Sequence, residues 1–138
     1  MSFDQTLTTS FKQEVLLGVH DLATDTLKLA LFTASADLNA NTTVYSTANE
    51  VVGTGYSAGG KVLTDVTVLT SGTTAYVDFA DVVWTPAAFT ARGALIYNAS
   101  KGNKAIAVLD FGSDKTATTS FTVQMPANTA DAALIRFA

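Results

Sequence analysis

The sequence predicts a mainly β chain, an antiparallel β-sandwich of jelly-roll-like or immunoglobulin-like type, with one short helix near its N-terminus. Three observations predict it. Apolar residues alternate with a period of two over most of the chain beyond residue 26, and two is the strand period. The alternating runs are short and are divided by Gly, Pro, Asn, Asp and Ser turn chemistry. The long helical patterns that parallel crossovers require are missing between them. At 138 residues one domain spanning 1–138 is expected, long enough to bury about two-thirds of its unfolded surface.

The elements follow in order. Residues 1–9 place Phe3 and Leu7 among polar residues without a period, which reads as an N-terminal arm that orders on a neighbouring subunit. A helix is expected over 11–19: Ser10 is a good N-cap, Gln13 takes the capping-box position, and Phe11, Val15, Leu16 and Val19 form its apolar face. A weaker helical turn is read at 47–51, inside a long loop of roughly 37–60. The strand at 26–34 (TLKLALFTA) sets Leu27, Leu29 and Leu31 against Lys28, Ala30 and Phe32. Both faces are mostly apolar, so the strand belongs at a sheet centre. Residues 61–70 alternate again, turn at Thr70-Ser71-Gly72-Thr73 and return over 74–79 as a hairpin. Further strands are expected at 81–84, 91–97, 104–111, 120–125 and 132–137. Thr85-Pro86, Asn98 to Asn103, Gly112-Ser113-Asp114 and Pro126-Ala127-Asn128 provide the breaks. Leu29, Leu31, Val77, Phe79, Ile96, Val108 and Phe121 are the expected core.

Composition excludes several functions. The charged fraction is 14% against a typical ~25%, too low for a solvated disordered chain. A net charge of −4 argues against nucleic-acid binding, which needs clustered Lys and Arg. Without Cys there is no disulfide frame, thiolate nucleophile or zinc–thiolate site. The opening segment has neither a basic nor an apolar signal region, and no apolar run approaches the ~20 residues of a membrane helix. A soluble protein, with no membrane partner, is expected.

Candidate chemistry is sparse. GTGYSAGGK (53–61) matches most of a phosphate loop, but Val62 stands where the metal-binding hydroxyl belongs and a strand follows instead of a helix. Glycines at unusual backbone angles explain the segment better. His20 is the only histidine. It has no G-x-S-x-G partner and reads as a capping or surface residue near a helix end. Asp21 and Asp25 lack the rest of a calcium loop. Asp65, Asp78, Asp81 and Asp110 lie in or beside strands, where paired carboxylates would suit a glycosidase; as surface acids they oppose aggregation instead. Trp84, Tyr45, Tyr56, Tyr76 and Tyr97 are candidates for stacking on sugars, with core or interface packing as the plainer reading. Asn41 and Asn98 begin glycosylation-type triplets. No catalytic, cofactor-binding or metal-binding residue is assigned, and no cofactor is expected.

Four segments, in order, carry a resemblance: DTLKLALFTASADL (25–38), NEVVGTGYSAGGKVL (49–63), VVWTPAAFTARGALIYN (82–98) and AVLDFGSDK (107–115). Together they resemble a family of small virion structural proteins of tailed bacteriophages, over about residues 11–121. No single motif is a signature; order and spacing carry the likeness. The resemblance implies a non-enzymatic β-sandwich subunit of a virus particle. A capsid decoration (cement) protein, located in the virion after assembly in the host cytoplasm, is the expected role. Its implied partners are the major capsid protein and further copies of itself, a homo-oligomer for which a trimer suits the local threefold positions of a shell. A neck or tail component and a virion-surface carbohydrate-binding module are the alternatives. Phe3, Tyr56, Trp84 and Phe89 are the candidate interface residues, because aromatics in or beside loops commonly anchor contacts.

Overall fold

The computed structural model describes residues 3, 5–125 and 133–137. In chain order its elements are β1 (Thr6–Leu7), α1 (Thr9–Leu16), β2 (Leu27–Phe32), β3 (Lys61–Val62), β4 (Thr67–Ser71), β5 (Thr74–Asp78), β6 (Val82–Trp84), β7 (Phe89–Asn98), a 3-10 turn (Ala99–Lys101), β8 (Lys104–Ala117), β9 (Phe121–Val123) and β10 (Arg136–Phe137). The strands pair antiparallel in three sheets, ordered β1-β8-β7-β2-β3, β10-β5-β4 and β6-β9. The fold is mainly β and sandwich-like, with one α-helix among the described residues, as the period of two predicts.

The large sheet is buried on both faces. Leu27, Leu29 and Leu31 of β2 enter one apolar cluster with Phe11, Val77, Phe79, Trp84, Phe89, Ile96 and Phe121. The opposite face of β2 sends Ala30 and Phe32 into a second cluster with Phe3, Leu38, Leu95, Tyr97 and Val108. All seven expected core residues are buried. The middle position of the sheet belongs to β7, with β2 beside it.

Several expectations need correction. The helix starts earlier: Thr8 is its N-cap, accepting from the Phe11 amide at 3.2 Å, and Ser10 lies within the helix. The Thr8 amide is bonded to the Ile106 carbonyl, so the chain leaves the sheet at Thr8 and coils at once. The helix ends before Val19, where Gly18 adopts φ +74° just beyond the Leu17 cap. At residues 47–51 only a turn forms.

The run 61–70 is not one strand. β3 stops at Val62, and Asp65 takes φ +55°, turning the chain out of the five-stranded sheet into the three-stranded one. Nor does Gly112-Ser113-Asp114 end a strand. The β7–β8 register passes from Gly93↔Asp110 to Ala91↔Lys115, so residues 111–114 bulge opposite Arg92 alone and β8 resumes beyond them.

The N-terminal stretch is not a free arm. β1 pairs with Ala107 and Val108 at the edge of the large sheet, and Phe3 bridges to Leu38. Phe3 fits because residue 93 is glycine; a Cβ there would intrude on its ring. The Pro126-Ala127-Asn128 turn and Ala132 lie outside the described residues; of the rest of the expected strand 132–137 only Arg136–Phe137 is strand, as β10, and residues 133–135 approach it without strand pairing of their own.

Candidate functional site

The loop between β2 and β3 is held by a buried acid. Glu50, 7% exposed, accepts hydrogen bonds from the Tyr45 hydroxyl (2.6 Å), the Tyr56 hydroxyl (2.5 Å) and the Gly59 amide (2.9 Å). The Tyr97 hydroxyl donates to the Gly59 carbonyl (2.7 Å), and its ring stacks on Tyr45 with centroids 4.5 Å apart. Tyr56 Oη also accepts from the Leu31 amide, tying the loop to β2. Three donors satisfy the carboxylate where little water reaches it, which is the condition for burying such a group. Burial, then the Glu50 charge, pushes Tyr97 up to about 12. Burial and the hydrogen bond to Glu50 push Tyr45 and Tyr56 higher still. These hydroxyls stay protonated at neutral pH. They act as clamps, and are poor acids or bases there.

The same loop carries the phosphate-loop look-alike. Gly55, Gly59 and Gly60 have φ of +90°, +97° and +78°. At Gly60 a Cβ would collide with the Leu29 carbonyl, and at Gly55 with that of Pro86. The glycines let the loop lie against two backbones, as the sequence suggested. Lys61 does not point into an anion cradle; its amine donates to the Val83 carbonyl (2.6 Å) and lies 5.7 Å from the Trp84 ring centroid.

A second polar node lies where α1, the 17–26 segment and the 3-10 turn meet. The Asn98 side chain is fully buried and accepts from the Ser100 amide through Oδ1. Its Nδ2 donates to Asp25 (2.8 Å) and to His20 Nδ1 (2.9 Å). With Nδ1 an acceptor, His20 carries its proton on Nε2 and donates to Glu14 (2.9 Å). The His20 side chain is 0% exposed, so it is neither a surface residue nor a simple cap. Its ring also packs on Phe11, 5.1 Å between centroids. Lys101 bonds both oxygens of Asp25, whose side chain is 8% exposed. Burial alone would raise the Asp25 pKa; the bonds from Lys101, Asn98 and the Asp21 amide, with the lysine charge, bring it down to about 2. The node pins the segment after α1 onto the end of β7. Among the described residues no group of three or more His, Asp or Glu side chains is arranged to hold a metal.

The other candidates are dispersed. Asp65 is exposed, Asp81 accepts from the Met125 amide, and Asp110 faces Arg92 at 3.5 Å. Trp84, Phe89 and Phe3 are 1%, 6% and 7% exposed. Trp84 packs against Tyr56, Phe89 and Phe121, because the pairing of β6 with β9 turns its ring inward. Their assignment to an interface is therefore corrected: these three rings fill the chain's own interior, and Tyr56 is half-buried in the Glu50 clamp. Trp84 has no exposed face to offer a sugar, and the Asn98 amide is closed to glycosylation.

Exposed apolar side chains lie elsewhere. Val15, Gly18 and Leu22 join Val68, Val77, Ile135 and Phe137 around a concavity of about 420 Å³. Leu16 and Leu17, at the end of α1, are 87% and 70% exposed. Comparisons with protein families, curated proteins and solved structures find no match to this chain.

Proposed function

We propose that the chain is a non-enzymatic structural protein of a bacteriophage virion, a capsid decoration (cement) protein that binds and stabilises the head shell as a homo-oligomer, with the major capsid protein as its partner. The observation that carries this reading is the four-segment resemblance, and the fold gives it physical weight. The first segment contains β2, the second contains Glu50 and the glycine loop, the third contains β6 and β7, and the fourth enters β8. The likeness thus falls on four strands of the large sheet, β2, β3, β7 and β8, and on the clamp that closes its longest loop. Exposed apolar groups around the end of α1 and the β4–β5 hairpin offer contact surface that long-range charge would not have to steer.

The test is copy number in virions purified from the source of the gene, by quantitative mass spectrometry. A shell-bound protein is expected at on the order of hundreds of copies, matching the repeated positions of a symmetric shell. About a dozen copies or fewer would place the protein at the neck or tail instead, and absence from particles would overturn the virion reading.

A further inference from the structure

The β4 strand differs from the other sheet edges. β1, β3 and β10 are two residues long and β6 and β9 three, whereas β4 runs for five residues, all exposed. Its sequence, Thr67-Val68-Leu69-Thr70-Ser71, contains no charge and no proline, the usual guards of an open edge. By contrast β3 carries Lys61 and β10 carries Arg136.

The direction of its free backbone groups follows from the ladder. Val77 donates its amide to the Ile135 carbonyl, so Val77 faces β10 and is not hydrogen-bonded to its partner on β4, Val68. Alternation then turns Thr67, Leu69 and Ser71 toward β5. The N–H and C=O of Val68 and Thr70 point outward. No described residue bonds to them. Gly72, with φ +59° at the first central position of the hairpin turn, keeps the strand straight up to its end.

We propose that two copies of this chain associate through β4, paired antiparallel about a two-fold axis at Leu69. In that register Val68 of each copy meets Thr70 of the other, so all four outward groups of each strand find partners. The two Leu69 side chains meet across the axis. Asp65 falls opposite a threonine, Thr73, so the acids nearest the strand do not confront each other. Only an extended strand satisfies such groups, and an identical uncharged one does so with no like-charge penalty. Val68, 49% exposed, and the open side of the concavity it lines would be covered by the added strand. This deepens the homo-oligomer part of the proposed function and does not depend on the virion part, so solution mass and copy number can fail separately.

The test is sedimentation velocity on the full chain over a concentration series, with amide hydrogen exchange resolved at Val68 and Thr70. The expected result is a mass that rises to two chains, with exchange at those two amides slowed about tenfold or more in the dimer. Thr70→Pro removes an outward donor without touching the β5 ladder, and Leu69→Lys sets two charges across the axis. Both should give half the mass while keeping the wild-type circular dichroism and a cooperative melting curve, now independent of protein concentration. A wild-type monomer at all concentrations, a mass of three chains, or a dimer that survives both substitutions with Val68 and Thr70 still exchanging fast would overturn the proposal. If one variant fails to fold, the other and the exchange pattern of the wild type decide.

Discussion

At the scale of single residues, the chain's unusual groups are its buried acids. Glu50 has three hydrogen-bond donors, and none of them is a cation. Replacing it by alanine leaves two hydroxyls and an amide without their acceptor, so Glu50→Ala is expected to cost about 3 kcal/mol in denaturant unfolding. The tyrosines give a second readout. Tyr97 moves from an ordinary 10.0 to about 12 on folding, so the folded chain holds its proton more tightly than the unfolded one. Its stabilising contribution is complete below pH 10 and is lost as pH rises from 10 to 12. Glu50→Gln removes the charge but not the burial, so Tyr97 should ionise at lower pH in the variant, measurable as tyrosinate absorbance. Asp25 has the opposite sign. Its pKa falls from 3.8 to about 2, so its contribution is complete above 3.8 and disappears as pH drops toward 2. Asp25→Asn should flatten the acid limb of a stability–pH curve across that window. An unchanged limb would show that the carboxylate is no better placed folded than unfolded.

At the scale of elements, the two kinds of glycine separate conformational strain from space. Gly60 and Gly102 both have positive φ, +78° and +66°. A Cβ at Gly102 meets nothing within 4 Å, whereas at Gly60 it strikes the Leu29 backbone of β2. Gly102→Ala is expected to cost about 1 kcal/mol, the left-handed penalty alone. Gly60→Ala should cost about 3 kcal/mol or more, because the β2–β3 pairing must shift as well. Equal costs in thermal or denaturant unfolding would refute the close approach. Elements of this kind also mark where the sequence was readable. Period-two runs in β2, β5 and β7 were legible because burial on a sheet face repeats locally. The sheet switch at Asp65 was not, since a non-glycine residue at positive φ leaves no alternation to break. The bulge at 111–114 has no signature of its own in the sequence, because turn residues serve bulges and turns alike. Glu50 and His20 were opaque for a different reason: their partners come from distant segments, so neither clamp has a local pattern. The aromatic candidates failed similarly, because Trp84 is in a three-residue strand whose inward face is fixed only by pairing with β9.

At the scale of the whole molecule, one sheet separates two apolar clusters, and the chain's aromatic groups report on each. Trp84 belongs to the cluster formed with α1, β5, β6 and β9. The stacked Tyr45 and Tyr97 belong to the opposite face, under Phe3 and Leu38. Both clusters share β2, β7 and β8, whose successive side chains alternate between the two faces, so neither can disperse while the other keeps its sheet. The chain should therefore unfold as one cooperative unit. Tryptophan fluorescence would follow the first face and near-ultraviolet tyrosine dichroism the second, and the two denaturant curves should share midpoint and slope. Leu31→Ala, which excavates the first cluster at a cost of ~2–5 kcal/mol, should move both curves by the same amount, although the tyrosine pair lies across the sheet from the cavity. If the fluorescence midpoint moved and the tyrosine midpoint did not, the faces would be separable folding units, and the long loop with its Glu50 clamp would be a lid over an independent core.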